Sequence, residues 1–113
     1  MKKILFVTAV LIMSVCMNDA TAQTDTARIQ TSAICEQCKD RIESDLSFEK
    51  GIKSSNLDLK TKVVTVLYNP KKTDAQKIRA AITRIGYDAD SLKADPKSYK
   101  KLPDCCKKES KAH

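Results

Sequence analysis

The hydrophobic pattern changes its period near residue 35, and this change limits the folds open to the chain. Along the stretch TARIQTSAI, small or apolar side chains alternate with polar ones, which is typical of a β-strand with one wet face. Beyond it, the apolar positions recur every four residues: Ile34, Cys38, Ile42 and Leu46. This spacing predicts an amphipathic helix that starts near Glu36 and ends before Gly51. The sequence therefore predicts a strand that leads directly into a helix.

A hairpin is predicted next. The segments GIKSSNLDL and KVVTVLY are separated by Lys60-Thr61, and the second segment is rich in β-branched residues. Asn69-Pro70 ends the hairpin, because proline lacks the N–H that a sheet needs.

The second helix has a start and a stop signal. Thr73 is followed three residues later by Gln76, the spacing of a capping box, so we expect Thr73 to be the N-cap. Gly86 suits the position after the last turn. The residues of the predicted buried stripe are Ala75, Ile78, Ile82 and Ile85. The segment YDADSL, which follows, is expected to form a short edge strand.

The resulting order, strand–helix–strand–strand–helix–strand, predicts an α+β fold of the ferredoxin-like βαββαβ type. We expect a four-stranded antiparallel sheet in the order 4-1-3-2, with both helices on one face. This topology brings three loops to one end of the molecule. Cys35 and Cys38, Lys60-Thr61 and Gly86-Tyr87 should therefore be neighbours.

The first 22 residues resemble an export signal. Lys2 and Lys3 precede an apolar stretch too short to span a bilayer, and Ala20-Thr21-Ala22 has the small-x-small pattern of a cleavage site. We expect cleavage after Ala22 and a periplasmic or otherwise exported protein. Lipoprotein anchoring through Cys16 is the less favoured alternative, because Val15 is larger than the residue that normally precedes a lipidated cysteine.

We therefore divide the chain into a signal peptide at 1–22, a domain at 23–92 and a Lys-rich tail at 93–113. The net charge is +7, and the tail carries seven lysines against three acidic residues. Few aromatic side chains are available to stack on bases, so nucleic acid is not an expected partner. A docked turn is expected around Tyr99 and Leu102.

Cys35 and Cys38 bracket two residues where the first strand meets the first helix. Such a pair can be a disulfide, a redox centre or two metal ligands. The positive end of the helix dipole favours thiolate over thiol, and thiolate is the form that binds metal. Two soft thiolates suit Cu(I) or another soft ion, whereas structural Zn(II) would want four ligands. A thioredoxin-like redox protein needs more chain and a suitably placed cis-proline.

Strand–Cys-x-x-Cys–helix at the start of a βαββαβ chain resembles the heavy-metal-associated domain family. That family includes copper chaperones, domains of copper-transporting ATPases and an exported mercury-binding protein. The segment GYDA at 86–89 is also similar to the family, and it implies that Tyr87 lies beside the metal loop. Ser32 and Ala33 depart from the family's Gly-Met, which raises a question about loop rigidity and metal preference.

The resemblance implies a binding protein and not an enzyme. Cys35 and Cys38 would hold Cu(I), with Hg(II) or Zn(II) as alternatives, and would deliver or sequester the ion outside the cytoplasm. The implied partner is a metal-transporting membrane protein or another metal-binding protein, and the implied state is a monomer or a metal-bridged dimer. The other function classes are a thiol–disulfide redox protein and a protein-interaction module that docks through its tail.

The adjacent pair Cys105-Cys106 stands outside this resemblance. Adjacent cysteines strain a mutual disulfide ring, so pairing with each other is not expected. The tail is long enough to fold back to the first pair, where it would add third and fourth thiolates or receive the ion. An intermolecular disulfide and a dispensable tail are the alternatives.

Overall fold

The computed structural model describes residues 23–107, and within them three strands and three α-helices follow one another. The elements are β1 (Asp25–Gln30), α1 (Glu36–Leu46), β2 (Ile52–Asp58), β3 (Val63–Tyr68), α2 (Ala75–Ile85), α3 (Pro96–Lys100) and a 3-10 turn (Asp104–Cys106). The predicted signal peptide, with Cys16, lies outside the described residues. Over the described range, every helix is too short or too polar to cross a membrane.

The sheet has the strand order β1-β3-β2, with both pairs antiparallel. Ile29 and Leu57 both pair with Val64 in register, so these three side chains share one face of the sheet. That face is buried, as the alternating pattern predicted. The core also contains side chains from both long helices, from the loop after α2 and from the tail: Cys38, Ile42, Leu46, Ile78, Ala81, Ile82, Tyr87 and Leu102.

Helix α1 begins and ends where the four-residue period predicted. It is also tied to the edge of the sheet by a contact that the period does not reveal. The Leu57 N–H donates to the Glu43 carboxylate over 2.7 Å, and Lys39 Nζ donates to the Leu57 carbonyl over 3.1 Å. These bonds satisfy backbone groups on strand β2, whose outer edge has no neighbouring strand within 23–107.

The predicted N-cap of α2 is wrong by one residue. Asp74 caps the helix, because its side chain accepts from the Lys77 N–H over 2.8 Å. Thr73 is instead buried against Gly51, where a side chain at the glycine would approach it to 2.9 Å. The stop at Gly86 is confirmed, since this residue caps the helix with φ of +123°.

A fourth strand is not confirmed. Ala89 makes only isolated bridges, to Thr31 and to Leu92, and the described residues contain three strands. Asp90 has φ of +53°, which turns the chain back before a strand can extend. The bridge to Thr31 nevertheless lies beside β1, on the side where the fourth strand was predicted.

The segment after Leu92 packs on the domain. Leu102 is buried, with 5% of its surface exposed, and it lies against Gly86. A Cβ atom on Gly86 would be 3.1 Å from Leu102 Cδ2 and 3.1 Å from the Ser98 carbonyl oxygen. The missing side chain of this glycine therefore allows the docking segment, defined as residues 96–107, to approach the end of α2.

Candidate metal centre

Three loops meet at the end of the sheet where β1 leads into α1. The Thr31 N–H donates to the carbonyl of Lys62 in the hairpin turn over 2.8 Å. Ser32 Oγ accepts from the Asp88 N–H, beyond α2, over 2.9 Å. The loops are therefore neighbours, as the topology predicted. Ser32 therefore joins the cysteine loop to the segment after α2. The sequence did not reveal this structural role.

Cys35 and Cys38 lie at the start of α1. Cys35 is the N-cap residue, with extended backbone, and Cys38 lies in the first turn. Their Sγ atoms are 3.3 Å apart. Cys38 is fully buried in the core, whereas Cys35 is partly exposed. The loop thus leaves the Cys35 thiol partly open to solvent and buries the Cys38 thiol in the core.

The docking segment brings Cys105 and Cys106 to the same place. Cys35 Sγ lies 3.9 Å from Cys105 Sγ and 3.8 Å from Cys106 Sγ. The sulfurs of Cys105 and Cys106 are 4.0 Å apart. Four free cysteines from the two ends of the domain therefore converge, with Cys35 in contact with each of the others.

Two further contacts hold the docking segment on α1. The Cys105 thiol donates to Gln37 Oε1 over 2.6 Å, and the Cys35 thiol donates to the Cys105 carbonyl over 3.4 Å. Gln37 lies between the two cysteines of the first pair. Its side chain was not predicted to take part, because a polar residue at that position is equally consistent with a solvated helix face.

The thiols have different acidities. Burial opposes ionisation of Cys35, but hydrogen bonds from the thiol and backbone N–H of Cys38, and from the tail thiols, outweigh it and lower its pKa. Burial, with the Cys106 hydrogen bond, raises the pKa of Cys38 to about 12. Burial is also the largest cause of the raised pKa of Cys105 and of Cys106. Cys35 is therefore the thiol that ionises most readily.

Tyr87 lies beside two of the four cysteines, Cys38 and Cys106. Its side chain is fully buried, and its hydroxyl lies within reach of the Cys106 and Cys38 thiols, although no hydrogen bond of good geometry joins them within residues 23–107. Burial and the nearby Cys106 and Cys38 thiols raise the pKa of this phenol, so it stays protonated.

The geometry defines a class of site: several cysteine thiols, whose soft sulfur atoms could hold a metal ion, at a strand–helix junction of a small α+β domain. The sequence model of the protein family described as "Heavy-metal-associated domain" matches residues 29–88 of this chain. This chain belongs to that family. Cys35, Cys38 and Tyr87 lie within the matched residues, whereas Cys105 and Cys106 lie beyond them.

Curated relatives and solved structures agree with this assignment. Over 59 residues, the chain is 37% identical to a copper-exporting P-type ATPase of Staphylococcus aureus; the match covers 52% of the chain but only 7% of the ATPase. The structure is similar to that of a CopZ metallochaperone, at 27% identity and a TM-score of 0.55, covering 57% of this chain and 98% of that one. It is also similar to oxidised MerP from Ralstonia metallidurans CH34, at 22% identity and a TM-score of 0.57, covering 60% and 96%. The MerP likeness shows the fold alone.

Proposed function

We propose that this protein binds Cu(I) through the thiolates of Cys35 and Cys38 and delivers or sequesters it outside the cytoplasm. The proposal rests on the placement of both thiols, one on the N-cap residue and one in the first turn of α1, at the strand–helix junction of a heavy-metal-associated domain. Thiolates are soft ligands, and soft ligands select Cu(I) over hard cations.

The relatives support copper over other soft ions. The curated relatives are named as copper exporters, and one similar structure is the Cu(I)-loaded N-terminal domain of a potential copper-translocating ATPase of Bacillus subtilis. That domain is 28% identical, has a TM-score of 0.56, and is matched over 60% of this chain and 86% of its own. The proposed partner is accordingly a metal-transporting membrane protein or another metal-binding protein.

Export is a separate part of the proposal and rests on the sequence of residues 1–22. Cleavage after Ala22 would release a protein that begins at Gln23. The test is N-terminal sequencing of protein recovered from a periplasmic extract of the expressing cells. A chain that begins at Met1 and stays in the cytoplasmic fraction would contradict export but leave the metal site unaffected.

The metal site is tested in a variant that lacks the tail thiols, C105S/C106S, so that only the first cysteine pair remains. Reduced protein of residues 23–113, which includes the whole described domain, is titrated anaerobically with Cu(I) against a chromogenic chelator. We expect one Cu(I) to bind tightly, and the additional substitution Cys38→Ser to abolish that binding. Equal affinity with and without Cys38 would refute the proposal. Parallel titrations with Hg(II) and Zn(II) establish the metal preference.

A further inference from the structure

The sulfurs of Cys35, Cys105 and Cys106 form a nearly equilateral triangle. Its edges are 3.9, 3.8 and 4.0 Å. A point equidistant from the corners lies about 2.3 Å from each sulfur, which is the length of a typical metal–thiolate bond, ~2.3 Å. The triangle therefore has the size that a trigonal ion would require.

The first cysteine pair has a different spacing. A linear ion between two thiolates separates the sulfurs by two bond lengths, or about 4.6 Å. Cys35 Sγ and Cys38 Sγ are only 3.3 Å apart, so they must move apart to hold such an ion. Cys38 is also absent from the set of sulfurs that all lie within 4.8 Å of one another. The present arrangement therefore fits three thiolates better than two or four.

We propose that Cys35, Cys105 and Cys106 form a three-thiolate site for a soft metal ion, closed when the docking segment packs on the domain. This inference deepens the proposed function and rests on it, since Cys35 is common to both sites. With the docking segment lifted, Cys35 and Cys38 capture the ion. With the segment docked, Cys105 and Cys106 replace Cys38 and retain it.

The position of the tail thiols supports this exchange. Cys106 is buried, with 1% of its surface exposed, and the docking of Leu102 against Gly86 holds the segment that carries it. The buried Tyr87 hydroxyl lies beside Cys38 and Cys106, where it can donate a hydrogen bond to a metal-bound thiolate. Binding releases the remaining thiol protons to solvent and changes no oxidation state.

A closed three-thiolate site slows the loss of the ion. Ligands held close by the fold act at an effective concentration of the order of millimolar, so a thiolate that dissociates rebinds before the ion leaves. An acceptor with two thiolates can reach the ion only after the docking segment lifts. The tail therefore makes the protein retain its ion, and the stability of docking sets the rate of release.

The experiment compares variants of residues 23–113 loaded with one equivalent of Cu(I). Release to excess chromogenic chelator is followed under anaerobic conditions. We expect C105S/C106S to release Cu(I) at least about tenfold faster than the unmodified protein. Leu102→Ala keeps all four cysteines but weakens docking, and it should also release faster. Lys100→Ser, at an exposed position in the same segment, should release at the unmodified rate.

Cys38→Ser separates the two sites. The inference predicts that this single variant retains Cu(I) through the three remaining thiolates, with an affinity within about tenfold of the unmodified protein. If Cys38→Ser loses Cu(I) while C105S/C106S holds it at the unmodified rate, the three-thiolate site is wrong and the proposed function stands. If neither the unmodified protein nor any variant binds Cu(I), the proposed function itself fails.

Discussion

Replacing Gly86 with alanine tests whether the glycine is what allows the docking segment to approach α2. The backbone at Gly86 has φ of +123°, a conformation that residues with a Cβ rarely adopt. The new Cβ would also lie 3.1 Å from Leu102 Cδ2 and from the Ser98 carbonyl oxygen. The leucine can turn aside, but the carbonyl belongs to the backbone of α3, so the docking segment must shift.

The expected loss of stability follows from two opposing contributions. Backbone strain at such a position costs about 1–3 kcal/mol. Alanine also restricts the unfolded chain, which returns about 0.4–1 kcal/mol. The free energy of unfolding should therefore fall by roughly 1–2 kcal/mol. The shift of the docking segment also has a local effect, because it increases the access of solvent to Cys106.

Two assays separate the global and local effects. Urea denaturation of the reduced, metal-free protein gives the free energy of unfolding, and alkylation without denaturant gives the exposure of the Cys106 thiol. Gly51→Ala is the matched control, because Gly51 also has a positive φ, +85°, but contacts Thr73 at the opposite end of α2. Both variants should lose stability. In Gly86→Ala alone, Cys106 should be alkylated faster than the decrease in the free energy of unfolding accounts for. Unchanged stability and equal alkylation in the two variants would show that Gly86 does not control how closely the docking segment approaches α2.

Three further predictions concern residues outside the thiol cluster. Asp74→Ala removes the cap of α2 and should cost about 1 kcal/mol in urea denaturation, with Cu(I) affinity unchanged; a loss of affinity would contradict the separation of cap and site. Tyr87→Phe removes a buried hydroxyl that makes no well-aligned hydrogen bond, so the metal-free protein should unfold at an equal or higher urea concentration, and a clear loss of stability would show that the hydroxyl bonds to Cys38 or Cys106. Burial of Asp90 opposes its ionisation, but the Arg79 ion pair and the Gln30 N–H outweigh this and lower its pKa. The stability from Asp90 is thus complete above the ordinary carboxyl pKa of about 3.9 and is lost as the pH falls further, so thermal unfolding between about pH 5 and 2 should show a steeper loss than in Asp90→Asn.

The elements near the first cysteine pair could be predicted because local signals agree there. The alternation of β1 and the four-residue period of α1 both meet at Cys35, and Gly86 ends α2 as expected. The N-cap was misplaced because Thr73 and Asp74 are both good capping residues. Only the packing of Thr73 against Gly51 decides between them, and that contact lies between distant parts of the sequence.

The rest depended on long-range contacts that no local pattern encodes. A positive φ at Asp90, fixed by hydrogen bonds with Gln30, replaces the expected fourth strand with isolated bridges. The tail has little hydrophobic periodicity, so the sequence indicated a docked turn around Tyr99 and Leu102 and a length sufficient to reach the first cysteine pair, but not the contacts that hold it there. Its place beside Cys35 follows from the close approach at Gly86, which a sequence marks simply as a helix stop.

X-ray absorption at the copper edge distinguishes a three-thiolate from a two-thiolate site, because it counts the sulfur atoms around the ion. Cu(I)-loaded protein of residues 23–113 is compared with C105S/C106S. We expect three sulfurs at about 2.3 Å in the unmodified protein and two in the variant. Two sulfurs in both proteins would show that the tail cysteines do not bind the ion, and an absence of sulfur ligands would contradict the metal site altogether.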